Sequence, residues 1–99
     1  MTIYRGERTI DGIVVTRDDQ PLPEATDIGS YSDIGLDWGF VGPSSRQLSF
    51  ALLFDHLRDP SRSKNLTEPF TTLVASGLDN DWELSTNELD LIVAKLEHK

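Results

Sequence analysis

The chain has 99 residues, 37% of them hydrophobic, and its 17 acidic and 9 basic residues give a net charge of −8. This size predicts a single domain with one core, and the absence of cysteine excludes disulfides and thiolate chemistry. No apolar run reaches the roughly 20 residues that span a bilayer, so no membrane association is expected. A negative field repels phosphate backbones, which argues against direct nucleic-acid binding.

The N-terminal segment TIYRGERTIDGIVVTR predicts a β-hairpin. β-branched and aromatic residues lie on both sides of Asp11-Gly12, and Asp-Gly favours a tight turn in which both residues take positive φ. We expect strands over residues 2–5 and 13–16, with residues 8–10 as a possible extension of the first. Residues 18–35 are rich in Asp, Pro, Gly and Ser and predict a long loop, which in so small a domain often has a function.

The sequence LDWGF alternates apolar and small or polar residues, which predicts a short strand around Trp38 that pairs with the hairpin. Ser44 and Gln47 then have the spacing of a capping box, which predicts a helix beginning near residue 44. Pro43 lies either just outside this helix or at its first position. Apolar residues at helical spacing predict a central helix over residues 44–58: Phe50, Leu53, Phe54 and Leu57.

Asp59-Pro60 is interpreted as the end of this helix, and a shorter second helix is expected with Thr67 as its N-cap, Pro69 in its first turn and Gly77 as its stop signal. Trp82 and Leu84 then have the spacing of a short edge strand. Ser85 and Glu88 form a second capping-box pattern ahead of an apolar stripe, which predicts a final helix.

These elements together predict one α+β domain over residues 1–99. A small antiparallel sheet, made of the N-terminal hairpin and the Trp38 strand, is expected to pack against about three helices.

Few residues in the chain can carry catalysis. His56 lies next to Asp55 on the predicted helix, but adjacent helical positions point about 100° apart and do not form a dyad. Neither His56 nor His98 has a second ligand at metal-binding spacing. We therefore predict no catalytic residue, no metal ligand and no cofactor.

The turn between the Trp38 strand and the central helix is the candidate binding site. Its predicted residues are Trp38, Phe40, Gly42, Ser45 and Arg46. An exposed edge of Trp38 would be a suitable anchor for a partner protein. Alternatively, residues 42–47 could offer free helix N-terminal amides and Arg46 to an anion.

The same residues resemble a family of small uncharacterised domains. Its members have an N-terminal Tyr-x-Gly hairpin and a Trp-Gly-[Tyr/Phe]-x-Gly segment followed by Gln-Leu-x-x-Ala-Leu-Leu. This chain matches at Tyr4, Gly6 and Arg8, at Trp38, Gly39, Phe40 and Gly42, and at Gln47, Leu48, Ala51, Leu52 and Leu53. It departs from the family's glycine-rich turn at Val41, Pro43, Ser44 and Ser45. The resemblance implies the α+β architecture and no particular activity.

From these features we expect a non-enzymatic, cytoplasmic module that binds another protein through the residue 18–35 loop and the residue 38–46 turn. One alternative is an acidic inhibitor that imitates nucleic acid towards a defence or DNA-handling protein. Another is a small enzyme or anion binder that uses the residue 42–47 turn. The excess of Asp over Glu and of Arg over Lys is also typical of high-salt cytoplasms. The oligomeric state and the partner's identity stay open.

Overall fold

A computed structural model describes residues 1–98 and gives a four-stranded antiparallel sheet with three helices. The strands are β1 (Ile3–Thr9), β2 (Gly12–Arg17), β3 (Gln20–Pro21) and β4 (Trp82–Ser85), arranged in the order β3-β2-β1-β4. The helices are α1 (Pro43–Leu57), α2 (Pro60–Leu73) and α3 (Thr86–Glu97), with a short 3₁₀ turn at Ala75–Gly77. The predicted α+β class, with an antiparallel sheet against three helices, is confirmed.

The hairpin is longer than predicted, and its turn lies one residue earlier. Thr9 pairs with Gly12, so Ile10 and Asp11 are the two turn residues, and Gly12 takes the positive φ of 122°. The third main strand is β4, which pairs with β1 from Ile3↔Ser85 to Gly6↔Trp82. The predicted strand at Trp38 is wrong, because residues 36–40 lie in a loop that turns away from the sheet at Gly39, where φ is 89°.

The inner face of the sheet is formed by alternate residues of β1, β2 and β4. Tyr4, Val15, Trp82 and Leu84 are buried there, as expected when side chains alternate between faces. Gly6 lies opposite Trp82, and a Cβ atom at Gly6 would lie only 2.3 Å from the Trp82 indole. The missing side chain therefore makes the room in which this indole packs.

Helix α1 is buried on nearly its whole circumference and forms the centre of the domain. It begins at Pro43, in the first helical position, where the absence of a proline N–H costs nothing. It ends at Leu57, and Arg58 follows in the left-handed conformation with φ 57°. Its apolar side chains meet those of the sheet and of α3 in one core cluster.

The N-cap of helix α2 is Asp59, eight positions before the predicted N-cap Thr67, and Pro60 lies in the first turn of the helix. The Asp59 side chain accepts a hydrogen bond from the Arg62 N–H at 3.1 Å. Thr67 is buried inside the helix, and Pro69 lies in the interior of the helix instead of its first turn. The Asp-Pro pair that ends α1 thus also begins α2.

The contact between α1 and α2 contains a row of buried hydroxyl groups: Ser45, Ser49, Ser63, Thr67 and Thr71. Ser49 and Thr71 are hydrogen-bonded to each other across the interface at 2.8 Å. Such small side chains leave space for the two helix backbones to approach closely.

Both the strand and the capping box predicted near the C-terminus are confirmed. The Ser85 hydroxyl accepts from the Glu88 N–H at 3.1 Å, and the Glu88 carboxylate accepts from the Ser85 N–H at 3.0 Å. None of the helices in residues 1–98 is long and apolar enough to cross a membrane.

We predict that Gly6→Ala lowers the free energy of unfolding by about 2 kcal/mol, because the new methyl group overlaps the Trp82 ring. Urea denaturation measures this change. Gly77→Ala is the matched control, since nothing lies within 4 Å of its added Cβ, and it should change stability by less than about 0.5 kcal/mol. Equal effects of the two substitutions would contradict the packing role of Gly6.

Candidate functional site

The five predicted site residues have very different environments. Trp38 is fully buried, packs edge-to-face against Trp82 at a centroid distance of 5.7 Å, and donates its indole N–H to the Asp79 carbonyl at 2.7 Å. Trp38 therefore has no exposed edge that could contact a partner in this structure. Its indole is a core residue whose polar atom already has a partner.

Arg8 fixes the backbone around Trp38. Its Nη2 donates to the Asp37 carboxylate and to the Trp38 carbonyl, both at 2.6 Å, and its Nη1 donates to the Asn80 side chain at 2.9 Å. The guanidinium also lies over the Trp38 ring at 4.7 Å. A single β1 side chain thus joins the hairpin, the residue 36–40 loop and the turn before β4.

The predicted capping box at the start of α1 does not form. Gly42 is the N-cap residue and no side chain caps it. The Ser44 hydroxyl instead contacts the Ser32 hydroxyl at 3.2 Å. The Gln47 side chain does not reach back to the start of its own helix but extends into the long loop.

The Gln47 side chain is fully buried, and its amide makes four hydrogen bonds to the long loop. Its Oε1 accepts from the backbone N–H groups of Tyr31 at 2.7 Å and Ser32 at 3.3 Å. Its Nε2 donates to the carbonyls of Glu24 at 2.7 Å and Gly29 at 3.0 Å. Both polar atoms of the side chain are therefore satisfied by loop backbone, which folds residues 24–32 against α1.

Ser45 and Arg46, two further predicted site residues, face other parts of the protein. Ser45 is fully buried in the α1–α2 contact, and its hydroxyl has no hydrogen-bond partner within residues 1–98. Arg46 donates its Nε to the Glu68 carboxylate of α2 at 3.0 Å. Ser45 therefore cannot contact a partner without local rearrangement, whereas Arg46 is partly exposed but already paired with Glu68.

Gly42 is buried next to the Phe40 ring. A Cβ atom at Gly42 would lie only 2.8 Å from this ring. The ring itself stays 43% exposed. Phe40 is therefore the one predicted site residue among these five whose large side chain faces solvent.

Phe40 belongs to an apolar surface that was not predicted from the sequence. Phe40 and Ile34 line one cavity of about 580 Å³, together with Tyr31 and Ser44. Ile34 is 88% exposed, and it also lines a neighbouring groove of about 610 Å³ beside Ile13 and Val14 of β2. We call Ile13, Val14, Ile34 and Phe40 the apolar strip. The unusual loop length pointed to this region, but the placement of Ile34 depends on the Gln47 contacts.

A second polar cluster lies at the other end of α1. The Asp55 Oδ2 accepts from the Tyr4 hydroxyl at 2.7 Å and from the Arg17 Nε at 2.6 Å, and the Asp55 side chain is only 6% exposed. Burial, and then the hydrogen bond to Asp55, raise the pKa of the Tyr4 hydroxyl well above its usual range. The cluster joins the sheet to α1, and both carboxylate oxygens of the buried Asp55 have partners, as a structural network requires.

The arginine side chains are paired with carboxylates of the same domain. Every arginine lies within ion-pair distance of a carboxylate: Arg5, Arg8, Arg17, Arg46, Arg58 and Arg62. By contrast, no salt bridge or side-chain hydrogen bond within residues 1–98 involves the side chains of Glu7, Asp11, Glu24, Asp27, Asp33, Asp79 and Asp81. Within residues 1–98, no group of three or more acidic or histidine side chains could hold a metal ion.

The fold and this surface define a small α+β domain with an acidic composition and a long loop that Gln47 holds in place. The chain belongs to the family of unknown function DUF6166, whose family pattern matches residues 4–95. This finding confirms the predicted membership of a family of uncharacterised domains. Comparison with curated proteins finds no significant match, and neither does comparison with solved structures.

We predict that Gln47→Leu lowers the free energy of unfolding by about 3 kcal/mol, because it leaves buried loop N–H and C=O groups without partners. It should also speed hydrogen exchange at the Tyr31 and Ser32 amides. Gln20→Leu, at an exposed strand position, is the control and should leave both measurements nearly unchanged. Unaltered exchange in Gln47→Leu would show that the loop does not depend on this amide.

A further prediction concerns alkaline pH. Since the folded-state pKa of Tyr4 is raised, the fold favours its neutral form, and this contribution is complete below the unfolded pKa of about 10. It is lost progressively as the pH rises above that value. Tyr4→Phe should remove this part of the alkaline destabilisation. It should also remove the increase in tyrosinate absorbance that Tyr4 contributes at high pH. Denaturation and absorbance titrations of both proteins measure these effects; an unchanged step at high pH in Tyr4→Phe would contradict its assignment to Tyr4.

Proposed function

We propose that this chain is a non-enzymatic protein-interaction module that binds a partner protein through the apolar strip. The observation that carries the proposal is the exposure of Ile34 and Phe40 around one cavity, on a loop held in place by Gln47. Exposed apolar residues that line a concave surface are typical of interaction sites. We also propose that the module acts in the cytoplasm, an expectation that rests on the sequence alone.

The rigidity of the loop supports this role. A flexible loop must be ordered when a partner binds, and that ordering reduces affinity. Here the Gln47 amide already fixes the backbone at Tyr31 and Ser32, close in sequence to Ile34. The strip can therefore be presented in one arrangement before the partner arrives.

Electrostatics indicate the character of the partner. The carboxylates without ion pairs include Glu24 and Asp33, which flank the strip, while the arginines are engaged elsewhere in the domain. Such a field accelerates association with a basic protein surface and disfavours an acidic one. A partner with basic residues around an apolar contact fits this surface best.

The geometry gives less support to the alternatives. An anion at the start of α1 would face Asp33 and Asp37 in the adjoining cavity, and Arg46 is paired with Glu68. His56 contacts Asp90 at 2.6 Å and lies twelve residues along α1 from Ser44, which is roughly 18 Å. A nucleic-acid mimic needs free carboxylates in a regular array, whereas many here are in ion pairs or helix caps.

The test is affinity purification of the tagged chain from an extract of the organism that encodes it. We predict that Ile34→Asp and Phe40→Asp each lose the partner retained by the unaltered chain, because a charge is introduced into the apolar contact. Leu91→Asp is the matched control, since Leu91 is equally apolar and exposed but lies on α3. A partner that survives both strip substitutions, or is lost equally with Leu91→Asp, would refute the assigned surface.

A further inference from the structure

The outer edge of β2 is only partly covered by β3. Strand β3 has two residues, and it pairs only with Thr16 and Arg17. Beyond Pro21 the chain makes one more contact, in which the Leu22 N–H donates to the Val15 carbonyl at 3.1 Å, and then leaves the sheet. Residues 12–15 of β2 therefore face the 610 Å³ groove instead of another strand.

The register identifies which backbone groups point into this groove. The Asp18 N–H donates to the Ile3 carbonyl at 2.9 Å, which makes Ile3 and Asp18 a hydrogen-bonded pair of the β1–β2 ladder. Such pairs alternate along an antiparallel ladder. Val14 is therefore bonded to Glu7, whereas Ile13 and Val15 direct their backbone groups to the opposite edge.

Three backbone groups on that edge have no partner within residues 1–98: the N–H and C=O of Ile13 and the N–H of Val15. An open strand edge of this kind is a template for pairing with another chain. Apolar side chains flank it on both sides, from Ile13 and Val14 on the strand to Ile34 and Leu36 on the loop. Backbone hydrogen bonds and side-chain contacts are thus available along the same groove.

We infer that this groove accepts a short, extended, basic segment of the partner protein, which adds to the sheet beside residues 12–15 of β2. This inference rests on the proposed function and specifies how the partner is bound. In strand addition, backbone hydrogen bonds give affinity and alternate side chains give specificity. Here one set of side chains meets Ile34 and Leu36, and the other lies over the outer face beside Val14.

The charge of the groove selects a basic segment. Glu24 is the only charged residue among those lining the groove, and it makes no salt bridge or side-chain hydrogen bond within residues 1–98. Asp11 and Asp33, each next to a lining residue in sequence, add negative charge. A second copy of this chain is a poorer occupant, because two domains of net charge −8 repel each other.

The probe is a library of random peptides displayed on phage and selected against the intact protein. The enriched peptides should carry Lys or Arg alternating with apolar residues. Synthetic copies should protect the Ile13 and Val15 amides from hydrogen exchange. Enrichment of peptides without basic residues, binding that leaves these two amides unprotected, or no enrichment at all would overturn the inference.

Ile13→Pro removes one of the unpaired N–H groups without removing a bond of the β1–β2 ladder. It should weaken peptide binding by about tenfold or more, whereas Ile13→Ala keeps the N–H and should cost less than half of that free energy. If Ile13→Pro does not fold, N-methylation of the peptide at the residue opposite Ile13 removes the complementary bond, from the peptide N–H to the Ile13 carbonyl. Full affinity of the N-methylated peptide would overturn strand pairing.

Glu24→Lys should weaken the same peptides by about tenfold. Asp81→Lys is the control, because it makes the same charge change at an exposed position before β4, at the opposite edge of the sheet. Sedimentation of the free protein tests self-association: a dimer that protects the Ile13 amide would make a second copy the occupant and overturn the inference. If the partner protein depends on Ile34 and Phe40 but peptides fail at the β2 edge, strand addition is refuted and the proposed function stands.

Discussion

The arrangement of the candidate site depends on one buried amide. Gln47 comes from the most deeply buried helix of the domain, and its four hydrogen bonds end on backbone groups between Glu24 and Ser32. A loop of this composition cannot bury enough apolar surface to fix itself, because folding must offset the entropy of each ordered residue. Helix α1 fixes the loop through these hydrogen bonds, so it also determines the positions of the side chains that the loop exposes.

Arg8 has a comparable role on the opposite side of the loop. It binds the Trp38 carbonyl and Asp37 while its guanidinium covers the Trp38 ring. The loop is thus held at one end by an amide from a helix and at the other by a guanidinium from a strand. Ile34 lies between these two attachments and Phe40 lies two residues beyond Trp38, and both apolar side chains are exposed. The exposure of these two residues is therefore a consequence of how tightly their neighbours are fixed.

Much of the architecture could be predicted from local patterns, and the errors have identifiable causes. The Ser85–Glu88 cap is local, so the sequence predicted it correctly. The Ser44–Gln47 pattern has the same spacing, but tertiary contacts with Ser32 and the loop replaced the local ones. Asp59-Pro60 was interpreted only as an end, although the same two residues satisfy the requirements of a helix start. In the first case the competing partners were distant in sequence, whereas in the second the Asp59 cap on the Arg62 N–H is itself a local contact.

The candidate site was harder to predict than the fold. Tryptophan is a common interface anchor, yet Trp38 fills the core. It packs against Trp82, whose indole occupies the space that Gly6 leaves open. The sequence does not mark Ile34 as a surface residue, because a single apolar residue in a polar loop has no periodicity. Its position between two cavities follows only from contacts that join residues far apart in the chain.

The internal pairing of all six arginines also has a kinetic consequence. A molecule that approaches to within about one Debye length first responds to the net charge, and at closer range it meets carboxylates next to arginines whose charge is already paired. Ionic strength should then act mainly on the rate of encounter, while the lifetime of a complex is determined by the uncharged contacts beneath. For a partner bound as proposed, one set of residues would thus act on the rate of capture and another on the lifetime of the complex.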